Sequence, residues 1–357
     1  MASVHKLLLP LLLGFLFTAI PGPAVIRFMK RMDFRQNERQ EGPPSHLKKA
    51  GTPTMGGVFL LLGWLLAALI GVREGTGESW PATALQNTAE VRCLHMPEGL
   101  PVHLVMVVCG LMGFLDDFIK ISTGTSMGLL PYQKVLLQFV ISLLAAAWLY
   151  KSDGVGSAIT LPFSGKSWDM GFFYLPFALF VLMGTMNGVN LTDGLDGLAA
   201  GTSLVIQLSY VILFALMPLL AGLGGWTGES ADYSGMAVFA AAGAGALMGF
   251  LLFNAYPARI FMGDTGSLAL GGTIAMEALV LKSPLLLPLM GIPFVLSAVS
   301  VMIQVGSYKL RHGKRVFKMA PLHHHFELLG VAEPRITALY MLLTGACCAL
   351  SIYIFTK

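Results

Sequence analysis

Long stretches without a single Asp, Glu, Lys or Arg recur along this chain, and they constrain its fold more than any motif does. A helix needs about 20 mainly apolar residues to cross a hydrocarbon core ~30 Å thick. Ten such runs are centred on residues 7–26, 55–72, 102–115, 135–150, 172–189, 198–216, 236–253, 268–281, 285–305 and 336–355. The third and eighth are short. Composition agrees, because 55% of residues are hydrophobic and 12% charged, against about 25% charged in a soluble domain. The expected fold is an all-α integral membrane protein of about ten transmembrane helices.

Ten crossings put successive loops on alternate sides. Of the 23 Lys and Arg, 16 fall in the loops after the odd-numbered runs, chiefly within 27–49 and 309–335. By the positive-inside rule those loops are cytoplasmic and both termini are periplasmic. The first run follows Lys6 as a signal peptide would, but it has no clear small-residue cleavage site and a basic segment comes after it, so it reads as a retained span. Segments between runs do not exceed roughly 30 residues, too few for a separate core, so residues 1–357 are expected to be one polytopic membrane domain. Cys109, Cys347 and Cys348 lie in apolar runs and Cys93 in an outer loop, which gives neither a disulfide framework nor a zinc pattern. The small residues at 240–249 suit close helix packing better than phosphate binding, because they lie inside a run.

Polar groups are costly at membrane depth, so where they collect is informative. Four motifs gather at expected cytoplasmic ends: GFLDDFIK at 113–120 with Lys134 beyond it, NGVNLTDGLDG at 187–197, NAYPARIFMGDTG at 254–266, and APLHHHFE at 320–327. The side was assigned from Lys and Arg alone, so the agreement is independent support for a site. Neighbouring carboxylates such as Asp116 and Asp117 both stay charged only when cations neutralise them. Lys120, four residues on, or a divalent metal would serve. With Asp264 and either Asp193 or Asp196, the set is rich in oxygen and free of cysteine, which suits Mg²⁺ and phosphoryl transfer. One Asp pair alone would read as a solvated helix end; four motifs on one face argue otherwise.

The glycine-spaced 193–197 segment can cap the sixth span and still admit a ligand close to the backbone. Three consecutive histidines, His323, His324 and His325, would not all face one ion from a helix, and donation to phosphate oxygens fits them better than a metal role. Lys48 and Lys49 precede GTPTMGG at 51–57, whereas the earlier basic residues read as the topology signal. Glu277 is the one acid inside a run and reads as half of a structural pair. Pro293 is placed to bend the ninth span and open a groove.

DDFIK, NLTDGLDGLA, FNAYPARIFMGDTGS and APLHHHFE, in this order with GTPTMGG before them, resemble the phospho-N-acetylmuramoyl-pentapeptide-transferase family (MraY, translocase I) over nearly the whole chain. That family sits within the polyprenyl-phosphate N-acetylhexosamine-1-phosphate transferases. The resemblance implies transfer of phospho-MurNAc-pentapeptide from UDP-MurNAc-pentapeptide to undecaprenyl phosphate, giving lipid I and UMP. It also implies a bacterial inner membrane, a cytoplasmic active site, Mg²⁺ and a homodimer, with no nucleic-acid partner. Carried over, Asp264 and Asp117 would ligate Mg²⁺, and Asp116, Asp117 and Asp264 would be catalytic. Asn190, Asp193, Asp196 and Phe261 would hold uridine, with Gly194 and Leu195 among the other substrate-binding residues. Lys120, Lys134 and the three histidines would engage phosphates or the amino sugar. Lys48, Thr52, Asn187 and Asn254 complete the expected substrate-binding set. The rivals are a sibling transferase using UDP-GlcNAc and, from another class, a membrane transporter; a transporter would place its acids near the bilayer midplane in repeated halves, which the sequence lacks.

Overall fold

The computed structural model describes residues 2–32, 49, 51–76, 99–125, 127–222 and 233–357. Lys48 and Cys93 lie outside the described residues. The architecture is helical apart from one two-stranded hairpin. In chain order the helices are α1 (Ala2–Ala19), α2 (Gly22–Arg31), α3 (Gly57–Thr76), α4 (Gly99–Thr123), α5 (Pro131–Lys151), α6 (Tyr174–Thr192), α7 (Leu198–Gly222), α8 (Tyr233–Asn254), α9 (Gly263–Val280), α10 (Leu287–Met290), α11 (Ile292–Leu310), α12 (Leu322–Leu328) and α13 (Glu333–Phe355).

Among the described residues, eight helices are long and apolar enough to cross a membrane, counting α1 and α2 as the single stretch His5–Arg31. The protein is a multi-pass membrane protein. The other two apolar runs fall on α3, whose apolar part Gly57–Gly71 is shorter, and on α9, where Asp264, Glu277 and four glycines dilute the apolar character. Two expectations need adjusting. The short third run belongs to a 25-residue helix, because α4 continues through Asp116, Asp117 and Lys120, whose charges are paired. Pro293 does not bend a continuous span: a 3₁₀ turn at Pro284–Leu286 and the short α10 come first, and α11 begins after Gly291 with Pro293 in its first turn, where a missing N–H costs nothing.

α9 is the axis of the fold. Every residue from Thr265 to Val280 is buried, and α4, α6 and α3 surround it. α8 is enclosed in the same way by α1, α7 and α3. Its small residues make this possible: a Cβ on Gly243 would enter the Trp64 ring, and one on Gly245 would strike the Leu11 carbonyl. The 240–249 stripe is thus a packing surface. Inside the bundle the Gln207 amide donates to Glu277 Oε2 at 2.7 Å, which ties α7 to α9 as a structural pair. α5 lies at the periphery, with Val135, Leu136, Phe139, Val140, Leu143 and Leu144 on its open face. The hairpin pairs Ala158–Thr160 with Ser167–Asp169, and the Thr160 N–H donates to the Lys282 carbonyl beyond α9's last turn. It therefore marks the opposite end of the bundle from Asp264.

Candidate active site

The site is built where α4 ends and α9 begins. Asp117 faces α9: its Oδ1 accepts from the Asp264 N–H at 3.1 Å, and its Oδ2 accepts from the Thr265 N–H at 2.9 Å and the Thr265 hydroxyl at 2.7 Å. These are the N–H groups a helix start leaves without internal partners, so Asp117 is the cap of α9 as well as a member of the acid cluster. Gly263, at φ 75°, makes the turn into the helix, and a Cβ there would come within 2.5 Å of Asp117 Oδ2. Asp116 faces elsewhere, with the Leu129 N–H at 2.8 Å on Oδ1 and Lys120 Nζ at 2.6 Å from Oδ2.

Asp264 joins the two. Its Oδ2 lies 2.8 Å from Lys120 Nζ and 2.7 Å from Lys134 Nζ, while its Oδ1 accepts from Asn190 at 2.6 Å. Asn190 also donates to Ser267 at 2.9 Å. Oxygens of Asp116, Asp117 and Asp264 all fall within 4.8 Å of one another. The Lys120 ammonium sits among them, at 2.6, 3.8 and 2.8 Å. A hard divalent cation asks for this donor set, carboxylate oxygens from two helices at one locus, and the position Lys120 holds is one such an ion would share or take. Three carboxylates and two lysines leave a formal charge of minus one.

The 193–197 loop borders this cluster. Burial first, and then the negative charges of Asp264, Asp117 and Asp196, push the Asp193 carboxyl up to about 8. Gly194 has no room for a side chain, since a Cβ would run into the His323 and His324 rings. Those two histidines are buried on α12 with their rings 4.3 Å apart, and His324 Nδ1 lies 3.2 Å from Glu327. His325 points away: its Nδ1 accepts from the Lys318 N–H at 3.1 Å and its ring meets Phe317 edge-on. The histidine triplet therefore divides, two toward the loop and one into the segment before α12.

Asp196 takes a different set of partners, with Lys49 Nζ at 2.7 Å on Oδ1 and the Ala258 N–H at 2.9 Å on Oδ2. Lys49 also pairs with Glu333 at 2.6 Å. Burial works against the Lys49 charge, but the hydrogen bonds to Asp196 and Glu333 outweigh it and its pKa is raised. Phe261 is carried on a backbone ladder with the GTPTMGG segment: its N–H donates to the Pro53 carbonyl and its carbonyl accepts from Gly56, both at 2.8 Å. Thr52 turns back to the Lys49 carbonyl at 3.1 Å. Two of the expected substrate-binding residues are hydrogen-bonded within the bundle. Asn187 exchanges amide hydrogen bonds with Gln138 on α5, and Asn254 donates to the Ile260 carbonyl at 3.0 Å, closing the turn that delivers Phe261 and Asp264.

Comparison with known proteins fits this arrangement. Residues 100–282 match the Glycosyl transferase family 4 profile, and residues 49–61 match Phospho-N-acetylmuramoyl-pentapeptide-transferase signature 1. The phospho-N-acetylmuramoyl-pentapeptide-transferase of Desulfitobacterium hafniense is 42% identical over 98% of this chain and 97% of its own length. That of Halalkalibacterium halodurans is 42% identical over 98% and 97%, and that of Clostridium novyi 40% over 94% and 93%. The chain belongs to the phospho-N-acetylmuramoyl-pentapeptide-transferase family. The family signature covers the segment from Lys49 through the Phe261 ladder partners and into α3, and the broader profile takes in the whole acid cluster. Sequence reasoning missed Thr265, Ser267, Leu129, Gln138 and Glu333. Thr265 and Ser267 lay inside the FNAYPARIFMGDTGS motif, and Glu333 stood out as an acid opening a mainly apolar span; Leu129 and Gln138 carried no signal, because one contributes only a backbone N–H and the other an amide on a peripheral helix.

Proposed function

We propose that this protein transfers phospho-MurNAc-pentapeptide from UDP-MurNAc-pentapeptide to undecaprenyl phosphate, forming lipid I and UMP for peptidoglycan synthesis. The observation that carries the reading is the convergence of Asp116, Asp117, Asp264, Lys120 and Lys134 in a chain that is about 40% identical, nearly end to end, to transferases of that name. The acids lie at helix ends rather than within spans, which disfavours the transporter reading. The histidine helix and the family signature favour the muramoyl donor over UDP-GlcNAc.

The chemistry exchanges one phosphate anhydride for another, so positioning and charge neutralisation supply most of the rate. A cluster of net charge minus one repels a diphosphate. Mg²⁺ held by Asp264 and Asp117 would reverse that sign and polarise the phosphate oxygens. Lys120 and Lys134, already at the cluster, are placed to follow the phosphates. Asp116 is the better base for the lipid phosphate, because three donors from α9 already occupy the oxygens of Asp117. Asn190, Asp193, Gly194, Leu195, Asp196 and Phe261 form the nucleoside side together with Lys48 and its neighbour Lys49, and His323 and His324 border the sugar. We place the protein in the bacterial inner membrane with ten crossings, both termini periplasmic, the acid cluster cytoplasmic, and two copies per assembly.

The test is UMP release by purified protein given undecaprenyl phosphate, Mg²⁺ and either UDP-MurNAc-pentapeptide or UDP-GlcNAc. Release with the first donor alone, lost in Asp264→Asn, is the expected result. Release with neither donor, from protein with a normal melting profile, would sink the assignment.

A further inference from the structure

Glu333 opens α13 and is 8% exposed. An acid in the first turn of a helix is ordinarily explained by the helix's own dipole, but the contacts of Glu333 are distant. A single oxygen, Oε1, accepts from Lys49 Nζ at 2.6 Å and from the Asp196 N–H at 2.6 Å, partners 284 and 137 residues away. One turn later Thr337 donates to the Asp196 carbonyl at 3.2 Å. Leu195 and Leu198, on either side of Asp196, pack in a small apolar cluster with Ile336 and Tyr340 of the same helix. The start of α13 thus grips residue 196 by its N–H and its carbonyl, and the loop around it by apolar contact.

We infer that Glu333 is a positioning residue which, from the first turn of α13, sets both Lys49 and the 193–197 loop in the form that receives the nucleoside of the donor; this rests on the transferase reading above. Charge supports the assignment. One lysine between the carboxylates of Asp196 and Glu333 leaves a net charge of minus one, a poor place for a phosphate and a suitable one for a neutral group such as a pyrimidine base. The ammonium has three N–H donors and uses two on these carboxylates. Glu333 thereby fixes the direction of the third without touching substrate itself.

The experiment compares wild type, Glu333→Gln and Glu333→Asp in donor and acceptor kinetics, in equilibrium binding of UMP and in thermal melting. In Glu333→Gln the donor KM and the UMP Kd rise by about tenfold, equivalent to ~1.4 kcal/mol, while kcat and the undecaprenyl phosphate KM stay within about twofold. Glu333→Asp, too short to reach both partners at once, falls between. A folded Glu333→Gln with unchanged donor KM and UMP Kd overturns the inference, as does a loss confined to kcat or shared equally by both KM values. If Glu333→Gln does not fold, Glu333→Asp decides by the same binding measurement. Wild type that releases no UMP would instead defeat the transferase reading.

Discussion

Asp116 and Asp117 are neighbours in sequence and differ in the hydrogen bonds their oxygens accept. Adjacent residues on a helix point about 100° apart, so one carboxylate faces α9 and the other the Lys120 side of the cluster. Their substitutions should separate accordingly. Asp116→Asn is expected to cut UMP release by about 10²–10³-fold, the scale for losing one aimed group, with the smaller loss of melting temperature of the two, because an amide oxygen can still accept from the Leu129 N–H and Lys120 keeps Asp264. Asp117→Asn should lose activity and also stability, by about 1–3 kcal/mol, because an amide cannot accept all three hydrogen bonds. Equal melting temperatures for the two variants would contradict the division of roles. Asp193 offers a pH test in chelator-treated protein. Its folded pKa, about 8, lies above the ordinary aspartate value near 3.9. Well below pH 4 the group is neutral in both folded and unfolded chains. As pH rises toward 8 the unfolded chain ionises more readily than the folded one, so this contribution to stability declines and levels off above 8. Asp193→Asn should therefore raise the melting temperature clearly at pH 8.5 and hardly at pH 4; the reverse order would show that burial does not govern this carboxyl.

At the scale of elements, α9 brings the cluster together, and its first turn depends on a glycine. Gly263 combines positive φ with a space that Asp117 Oδ2 closes, so Gly263→Ala meets both backbone strain and a clash with the cap. The expected outcome is a melting temperature lower by several degrees and a large loss of UMP release. Gly113 has the matching role on α4, where a Cβ would strike the Asp264 carbonyl. Far from the site, Gly245 lets α8 rest on α1. Gly245→Val should destabilise by about 1–3 kcal/mol through overpacking while the donor KM of the folded fraction stays unchanged.

At the scale of the whole molecule, the acid cluster lies at one end of the bundle, and its net negative charge would couple the binding of a divalent cation to stability. A ligand that binds the folded state raises its stability with concentration. Titrating Mg²⁺ into metal-free protein should raise the melting temperature progressively, and Asp264→Asn should abolish the rise. A shift that persists in that variant would place the ion elsewhere. Orientation is open to a direct test: alkaline phosphatase fused after Lys357 should be active if the C-terminus is periplasmic, and a fluorescent protein fused there should report if it is cytoplasmic.

Two kinds of information were legible in the linear chain. Runs of apolar residues show that a segment can leave water, because transfer free energy adds up residue by residue along one helix, and the family motifs mark where chemistry is concentrated. Asp116, Asp117, Lys120, Lys134, Asn190 and Asp264 were all identified in this way, and all meet. What the chain alone could not decide is which of these groups face each other. Asn187 meets Gln138 and Asn254 the Ile260 carbonyl, the histidines split two and one, and Lys49 finds Glu333 at the far end of the sequence. Such choices depend on the rotation and crossing of helices that touch only in the folded bundle. Hydrogen bonds and ion pairs act over a few ångströms, so two residues 284 positions apart become partners only once packing has fixed where their helices lie.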